Sequence, residues 1–361
     1  MIAPEKNADL PLTGESSSEM RYDWLADRWV IMAPQRTARP NDFELATPHI
    51  KDDSECPFCV GHEAETPTAV ATYRTSDANE MDWNVRVVPN KFPAVQTGAD
   101  ALGQLGLNSA SDATNQASSI ELFQRRELSG GHEVFIESPR HVMSLTDLDR
   151  KEVATVFQAY RDRLGYWLTT GGCQYAVVFK NVGQDAGASL SHSHSQLIST
   201  NVIPTQVDRS IKRMEHFEST EGNCVFCQML TNELQNRVRI VEETPDFVAF
   251  CPFASRTPSL VHILPRTHRA RFEELENQDV EQLSWLSHRL LRRVEKCFPD
   301  SAYNFVIQTA PRRLDNPASF HWRIELFPRL TKVAGFEWGS DCYINPITPE
   351  VAANQLRQAG V

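Results

Sequence analysis

The apolar and polar positions of the chain trace one succession of elements twice. In the first passage, VFIESPRHVMSLTDL is strand-like as far as His141. A helical pattern follows. Thr146 opens it, Leu148, Val153, Phe157, Tyr160 and Leu164 recur at helical spacing, and Gly171-Gly172 closes it. The chain turns strand-like again in YAVVFKN from Tyr175, crosses a polar turn and reaches His192. In the second passage, LVHILPRTHRARFEEL brings His268 to the same place relative to a Pro-Arg step. A helix then runs from about Gln278 through Leu283, Leu286, Leu290 and Val294 to the stop at Phe298-Pro299. YNFVIQT from Tyr303 is the matching strand, and His321 follows it.

The spacing supports a duplication. His141 to His192 is 51 positions and His268 to His321 is 53. Each passage is preceded by a C-x-x-C pair, Cys56/Cys59 in CPFC and Cys224/Cys227 in CVFC. The interval from that pair to the first histidine differs, 82 positions against 41. The surplus falls at QTGADALGQLGLNSASDATNQASS, residues 96–119, whose Gly, Ser, Ala and Asn content suits a long surface loop. The expectation is two related α+β halves with a boundary near residue 205: 21–205, carrying the flexible insertion, and 206–361. Residues 1–20 are expected to be a mobile tail.

Composition narrows the class. With 41% hydrophobic and 23% charged residues, the chain reads as soluble and globular. Its net charge of −11 argues against nucleic acid or an anionic membrane as a partner, while leaving room for a small anionic substrate met by a few local cations. No run approaches the roughly 20 apolar residues that span a bilayer. The first residues lack the basic-then-apolar plan of a signal peptide, so a cytoplasmic location is expected. Four cysteines outside the pairs, Cys173, Cys251, Cys297 and Cys342, read as core residues.

Each half offers two cysteines and two distant histidines, enough for a tetrahedral Cys2His2 zinc site. A single C-x-x-C fits a redox dithiol as well. Two copies followed by histidines at matching offsets favour zinc, and a site with four protein ligands is structural. In SLSHSHSQLIS, residues 190–200, a strand would place His192, His194 and Gln196 on one face. If His192 binds metal, His194 stands beside it without a metal role, a neutral imidazole competent as a nucleophile. Gln196 can then donate to an oxygen on whatever His194 attacks. The alternative makes both histidines ligands or exposed loop residues. In the second half, FHWRIELFP keeps the histidine, as His321, but has Arg323 and Glu325 where the first half has His194 and Gln196. One active centre per chain is expected, in the first half. NVGQDAGAS, residues 181–189, is a turn in which backbone amides can approach a phosphate, and Arg36 and Arg39 in RWVIMAPQRTARP can pair with one.

RWVIMAPQRTARP, CPFCVGHEAETP, VVPNKFPAV, ESPRH, NVGQDAGAS and HSHSQ, in that order, resemble the galactose-1-phosphate uridylyltransferase family of the histidine-triad superfamily, over residue 21 to the C-terminus. The resemblance implies an α+β tandem of two histidine-triad-like halves, each a mainly antiparallel sheet with a packed helix. It implies ping-pong transfer of a nucleotidyl group from an NDP-hexose to a hexose 1-phosphate through a covalent nucleotidyl-histidine. By position it makes His194 the nucleophile and Gln196 the residue steadying the phosphoryl oxygens. It places Arg36, Arg39, Asn181, Gly187 and Ser189 at phosphate-contacting positions, and Asn90 and Phe92 beside the nucleotide. Two structural zinc ions are implied, one at Cys56, Cys59, His141 and His192, the other at Cys224, Cys227, His268 and His321. A homodimer is implied too. The best-known uridylyltransferases carry Pro and Gly where this chain has Ser193 and Ser195, and their hexose-binding C-terminal stretch is replaced here by AGFEWGSDCYINP. The serine form looks more like the ADP-glucose phosphorylase branch, which moves AMP to inorganic phosphate. A histidine-triad hydrolase, with water as acceptor, and a zinc-stabilised binding module are the other readings.

Overall fold

The computed structural model describes residues 17–38, 55–74, 83–96 and 122–361. Arg39, the tail as far as residue 16 and nearly all of the 96–119 insertion lie outside them. Strand β1 (Glu19–Asp23) pairs antiparallel with β2 (Arg28–Met32) across a turn in which the Asp23 carboxylate accepts from the Leu25 and Ala26 amides. Glu19 and Met20, expected in the tail, open this hairpin because they find register partners in Met32 and Ile31.

The first half continues with β3 (Ala71–Tyr73), β4 (Val85–Pro89), β5 (Gly130–Ile136), helix α1 (Arg150–Leu168), β6 (Tyr175–Val182) and β7 (His194–Thr200). Helices α2 (Thr205–Glu221) and α3 (Val225–Asn236) lead into β8 (Ile240–Glu243), β9 (Phe247–Phe250), β10 (Val261–Pro265), α4 (Asn277–Cys297), β11 (Tyr303–Gln308) and β12 (Arg323–Pro328). The chain closes with α5 (Gly335–Ser340), β13 (Tyr343–Asn345) and α6 (Pro349–Gln358). β13 joins the first hairpin, parallel to β2, in a separate three-stranded sheet.

Among the described residues, the large sheet has ten strands in the order β3-β4-β5-β7-β6-β11-β12-β10-β9-β8, antiparallel at each pairing. Read inward from either edge, the order is the same: β3, β4, β5, β7, β6 answer β8, β9, β10, β12, β11. The two sets meet where β6 pairs with β11, from Tyr303↔Val182 to Gln308↔Val177. Helices α1 and α4 pack on one face through Val153, Phe157, Tyr160 and Leu164, and Leu283, Leu286, Leu290 and Val294, in one buried core. The opposite face of the second half is covered by α2, α3 and the first hairpin, through Ile211, Met214, Phe226 and Trp24 against Val248, Phe250 and Leu264. Strand alternation assigns the faces, since Ala249 and Ile263 between these residues join the α1/α4 core instead.

Helix α1 begins four residues later than the periodicity indicates. Ser144 caps a separate 3-10 turn at Leu145–Asp147, and Asp149 then caps α1 in a reciprocal box with Glu152. No helix among the described residues is long and apolar enough to cross a membrane.

Candidate active site and metal centres

The donor atoms of Cys56, Cys59, His141 and His192 lie within 4.8 Å of one another, and so do those of Cys224, Cys227, His268 and His321. The turns, strands and helix that carry them are far apart in sequence, so the fold itself assembles both groups. In the first, His192 Nδ1 is 3.5 Å from each of the Cys56 and Cys59 sulfurs, and His141 Nδ1 is 3.3 Å from Cys59. In the second, Cys227 Sγ is 3.4 Å from His268 Nδ1 and 3.6 Å from His321 Nδ1. A tetrahedral zinc ion bound by Cys and His separates S from N by about 3.6 Å, so both donor sets fit it.

Tautomers support the same conclusion. His192 Nε2 is 2.9 Å from the Ser138 carbonyl and His321 Nε2 3.1 Å from that of Pro265. A carbonyl only accepts, so each Nε2 carries the proton and each Nδ1 turns a lone pair towards the cysteines. Outer-sphere hydrogen bonds of this kind hold metal-binding imidazoles in place. Burial pushes the His192 imidazole down to about 4, into the neutral form that binds metal.

His194 opens β7, is buried, and places Nδ1 2.8 Å from the His192 carbonyl. Nδ1 is therefore the protonated nitrogen, and Nε2 carries the lone pair. Desolvation lowers the pKa of His194, favouring the neutral imidazole. Phe58, inside the first C-x-x-C, sets its ring edge-on to both His192 and His194, with centroids 5.9 and 5.5 Å away. Phe226 in the second C-x-x-C does the same for His321 and lies under the Arg323 guanidinium. An aromatic inside both cysteine pairs was the available sequence signal for this.

Gln196 shares the His194 face of β7. His132, which sequence reasoning passed over, accepts at Nδ1 from the Ala94 amide, 3.1 Å away, so its Nε2–H donates to Gln196 Oε1 at 2.7 Å. Asn90 Nδ2 approaches the same oxygen at 3.3 Å. With both lone pairs engaged, Gln196 presents its NH2 as a donor. Asn90 also accepts from the Phe92 amide at 2.8 Å, and the Phe92 side chain itself is exposed.

The 181–189 turn is tight because Gly183 and Gly187 both adopt positive φ, 82° and 89°. At Gly183 a Cβ would lie 2.8 Å from that of Ala302. Asn304 on β11, also unforeseen, donates to Asn181 Oδ1 at 2.8 Å and to the Ala186 carbonyl at 3.0 Å, so the second half anchors this turn. Gly187 and Ser189 are exposed on it. Arg36 is exposed on the 3-10 turn after β2. That segment is tied to the second half: Ala33 N donates to Asn345 O, and Arg21 pairs with Glu350. No described contact links Arg36 to His194.

At the second-half counterpart of His194, Arg323 Nε donates to Glu325 at 2.9 Å. A cavity of about 470 Å³ lies over this pair and His262, walled by Trp24, Met214 and Phe250. It exists because α2 and the first hairpin roof the sheet there. Its polar lining includes His262, which stands opposite Glu325 on the neighbouring strand.

Residues 10–204 match the family model described as galactose-1-phosphate uridyl transferase, N-terminal domain, and residues 233–322 match the HIT domain. An ADP-glucose phosphorylase of Arabidopsis thaliana is 32% identical over 349 residues, covering 96% of this chain and 94% of that protein. A galactose-1-phosphate uridylyltransferase of Thermotoga maritima is 25% identical over 351 residues, covering 95% and 99%. The crystal structure of an Arabidopsis thaliana ADP-glucose phosphorylase with bound ADP-glucose superposes with a TM-score of 0.78 at 30% identity, over 96% of this chain and all of that one.

Proposed function

From the fact that this chain belongs to the galactose-1-phosphate uridylyltransferase family, whose members are hexose-1-phosphate nucleotidyltransferases, we propose that His194 carries the nucleotidyl group. The carrying observation is the His194 Nδ1 contact to the His192 carbonyl, which leaves the Nε2 lone pair for attack. Nε2 attacks the α-phosphorus of a nucleotide sugar; the P–N bond forms, and the P–O bond to the departing sugar 1-phosphate breaks. An acceptor phosphate oxygen, of a hexose 1-phosphate or of inorganic phosphate, then attacks the same phosphorus. The new P–O bond forms, the P–N bond breaks and neutral His194 is regenerated. The NH2 of Gln196, aimed by His132 and Asn90, donates to a non-bridging oxygen as charge builds there.

The turn held by Asn181 and Asn304, with Gly187 and Ser189 exposed on it, is read as the cradle for the second phosphate, with Arg36 and Arg39 as further phosphate partners and Phe92 against the nucleotide. Zinc at both Cys2His2 groups is structural, and at the first it would fix the backbone from which His194 projects. Residues 21–205 and 206–361 are read as the two halves of one duplication. A homodimer is supported by exposed Trp29, Phe336 and Trp338 on and beside the small sheet.

Within the family reading, uridylyl transfer between hexose phosphates is the activity most relatives are named for. The adenylyl form, from ADP-glucose to inorganic phosphate, is favoured by a specific observation, the 32% identity to an ADP-glucose phosphorylase against 25% to a uridylyltransferase. Intact-protein mass after mixing with UDP-glucose or ADP-glucose, at mildly alkaline pH, decides between them. A UMP or an AMP adduct, abolished by His194→Asn, is the expected result. Steady hydrolysis with no acceptor added would move the protein to the hydrolases, and no adduct with either sugar would sink the assignment of His194.

A further inference from the structure

Behind β7, on the face opposite His194 and Gln196, the core contains an ion pair. Lys180 Nζ and Glu137 Oε2 are 2.5 Å apart, and both side chains are fully buried. Lys180 also donates to Ser193 Oγ at 2.9 Å and to the His194 carbonyl at 3.1 Å. Glu137 accepts from Ser193 at 2.6 Å and from Ser195 and the Tyr160 hydroxyl of α1. Tyr160 OH and Ser195 Oγ are themselves 2.7 Å apart. Five polar side chains thus form a closed cluster inside an apolar core.

The fold does not require this cluster, because the second half is built without it. The pairs Val134↔Gln196 and His262↔Glu325 are equivalent, as are Phe179↔Gln196 and Val306↔Glu325. Counting along the strands from these pairs, the places of Glu137, Lys180, Ser193 and Ser195 are taken by Pro265, Ile307, Trp322 and Ile324. All four are buried. The half without a nucleophile packs the same sheet face with apolar side chains. Burying two charges costs several kcal/mol per ion before their attraction is counted. The half with the nucleophile keeps them nonetheless.

We propose that the Glu137–Lys180 pair, with Ser193, Ser195 and Tyr160, is a positioning device for His194. The His194 ring is oriented by the His192 carbonyl, so the placement of Nε2 follows the backbone from His192 to Ser195. That backbone is held on its front by the first Cys2His2 group, through His192. It is held on its back by Lys180, which takes the His194 carbonyl, and by Glu137, which takes the hydroxyls on either side. The serines of H-S-H-S-Q are there to satisfy the buried pair, not to meet substrate. A displacement of about 1 Å at a reacting atom can cost on the order of a hundredfold in rate.

This inference rests on His194 being the nucleophile, and the test separates the two. The full chain carrying Glu137→Gln with Lys180→Met removes both charges together, a replacement that buried pairs often tolerate in stability. Single-turnover adduct formation is measured with whichever of ADP-glucose or UDP-glucose labels the wild type, alongside melting temperature and metal content. The expected result is a melting temperature and metal content near wild type, an unchanged KM, and an adduct rate lower by about tenfold or more. A folded double variant with the wild-type rate would reduce the cluster to packing and overturn the proposal. If the double variant does not fold, Ser195→Ala decides: a rate lower by about threefold or more at unchanged KM supports positioning, and an unchanged rate overturns it. A wild type that labels with neither sugar removes the nucleophile reading itself, and this inference with it.

Discussion

His132 Nε2 lies 2.7 Å from Gln196 Oε1, and the direction of that bond fixes which end of the Gln196 amide faces His194. Because Nδ1 accepts from Ala94, the Nε2 proton leaves Gln196 no choice but to turn its NH2 outward. His132→Phe removes this constraint while keeping a ring in the strand. The amide then rotates, and its donor is aimed at the phosphoryl oxygen only part of the time. We expect kcat to fall by about tenfold, less than complete loss of such a donor would cost, with KM nearly unchanged. Steady-state kinetics against nucleotide sugar check this; a rise in KM at constant kcat would place His132 in ground-state binding instead.

Asn304 belongs to the second half, yet its amide holds both Asn181 and the carbonyl of Ala186 in the first. Asn304→Ala leaves the 181–189 turn tied by its backbone bonds and the Lys332–Asp185 ion pair. The expected change is a several-fold higher KM for the nucleotide sugar, a net effect of about 1 kcal/mol from the two hydrogen bonds removed, with kcat within about twofold. Equal losses in kcat and kcat/KM would mean that the turn acts only in the transition state.

Much of this site was legible from spacing. The duplicated interval between histidines led to both Cys2His2 groups, and period-two alternation placed His192, His194 and Gln196 on one face, as β7 places the last two. What escaped was what periodicity cannot carry. His132 and Asn304 lie on strands, and Glu137 just past the end of one, that are adjacent only in the folded sheet, so neighbourhood in sequence gives no hint of them. Helices α2 and α3 were not read, although Val207, Ile211, Met214 and Phe217 recur at helical spacing on α2 and Val225, Phe226 and Leu230 are buried on α3. Thr146 misled because a capped 3-10 turn and a capped α-helix follow one another there, two starts where the pattern implies one.

The two metal groups should separate in their consequences. Cys59→Ser and Cys227→Ser each break one donor set, and metal analysis should find about one zinc ion per chain in place of two in either variant. Loss at the first group frees the His192 side of the strand that carries His194, so adduct formation should fall by about a hundredfold or more. Loss at the second, whose neighbouring strand position holds Arg323, should lower the melting temperature and leave adduct formation on folded protein within about threefold. Equal loss of activity in both would show that the second group supports the active site directly.

Acid should weaken the second half through His262. On β10 opposite Glu325, and facing the cavity, this imidazole is pushed down to about 4, chiefly by desolvation, with Glu325 opposing the shift and Arg323 and Arg256 adding to it. Its folded value lies below the unfolded one near 6.5, so the unfolded chain binds the proton first. The contribution is therefore complete above about pH 6.5 and is lost as pH falls towards 4, reaching about 2–3 kcal/mol at the lower end. His192, His194 and His132 share the direction of this shift, so wild-type stability alone cannot isolate His262. The difference between wild type and His262→Gln can. Urea midpoints followed from pH 7.5 to 4.5 should converge as pH falls, because the variant has no imidazole at this position to protonate. Parallel curves across that range would show that the His262 pKa does not change on folding and that other groups, His288 of the same half among them, carry the acid limb.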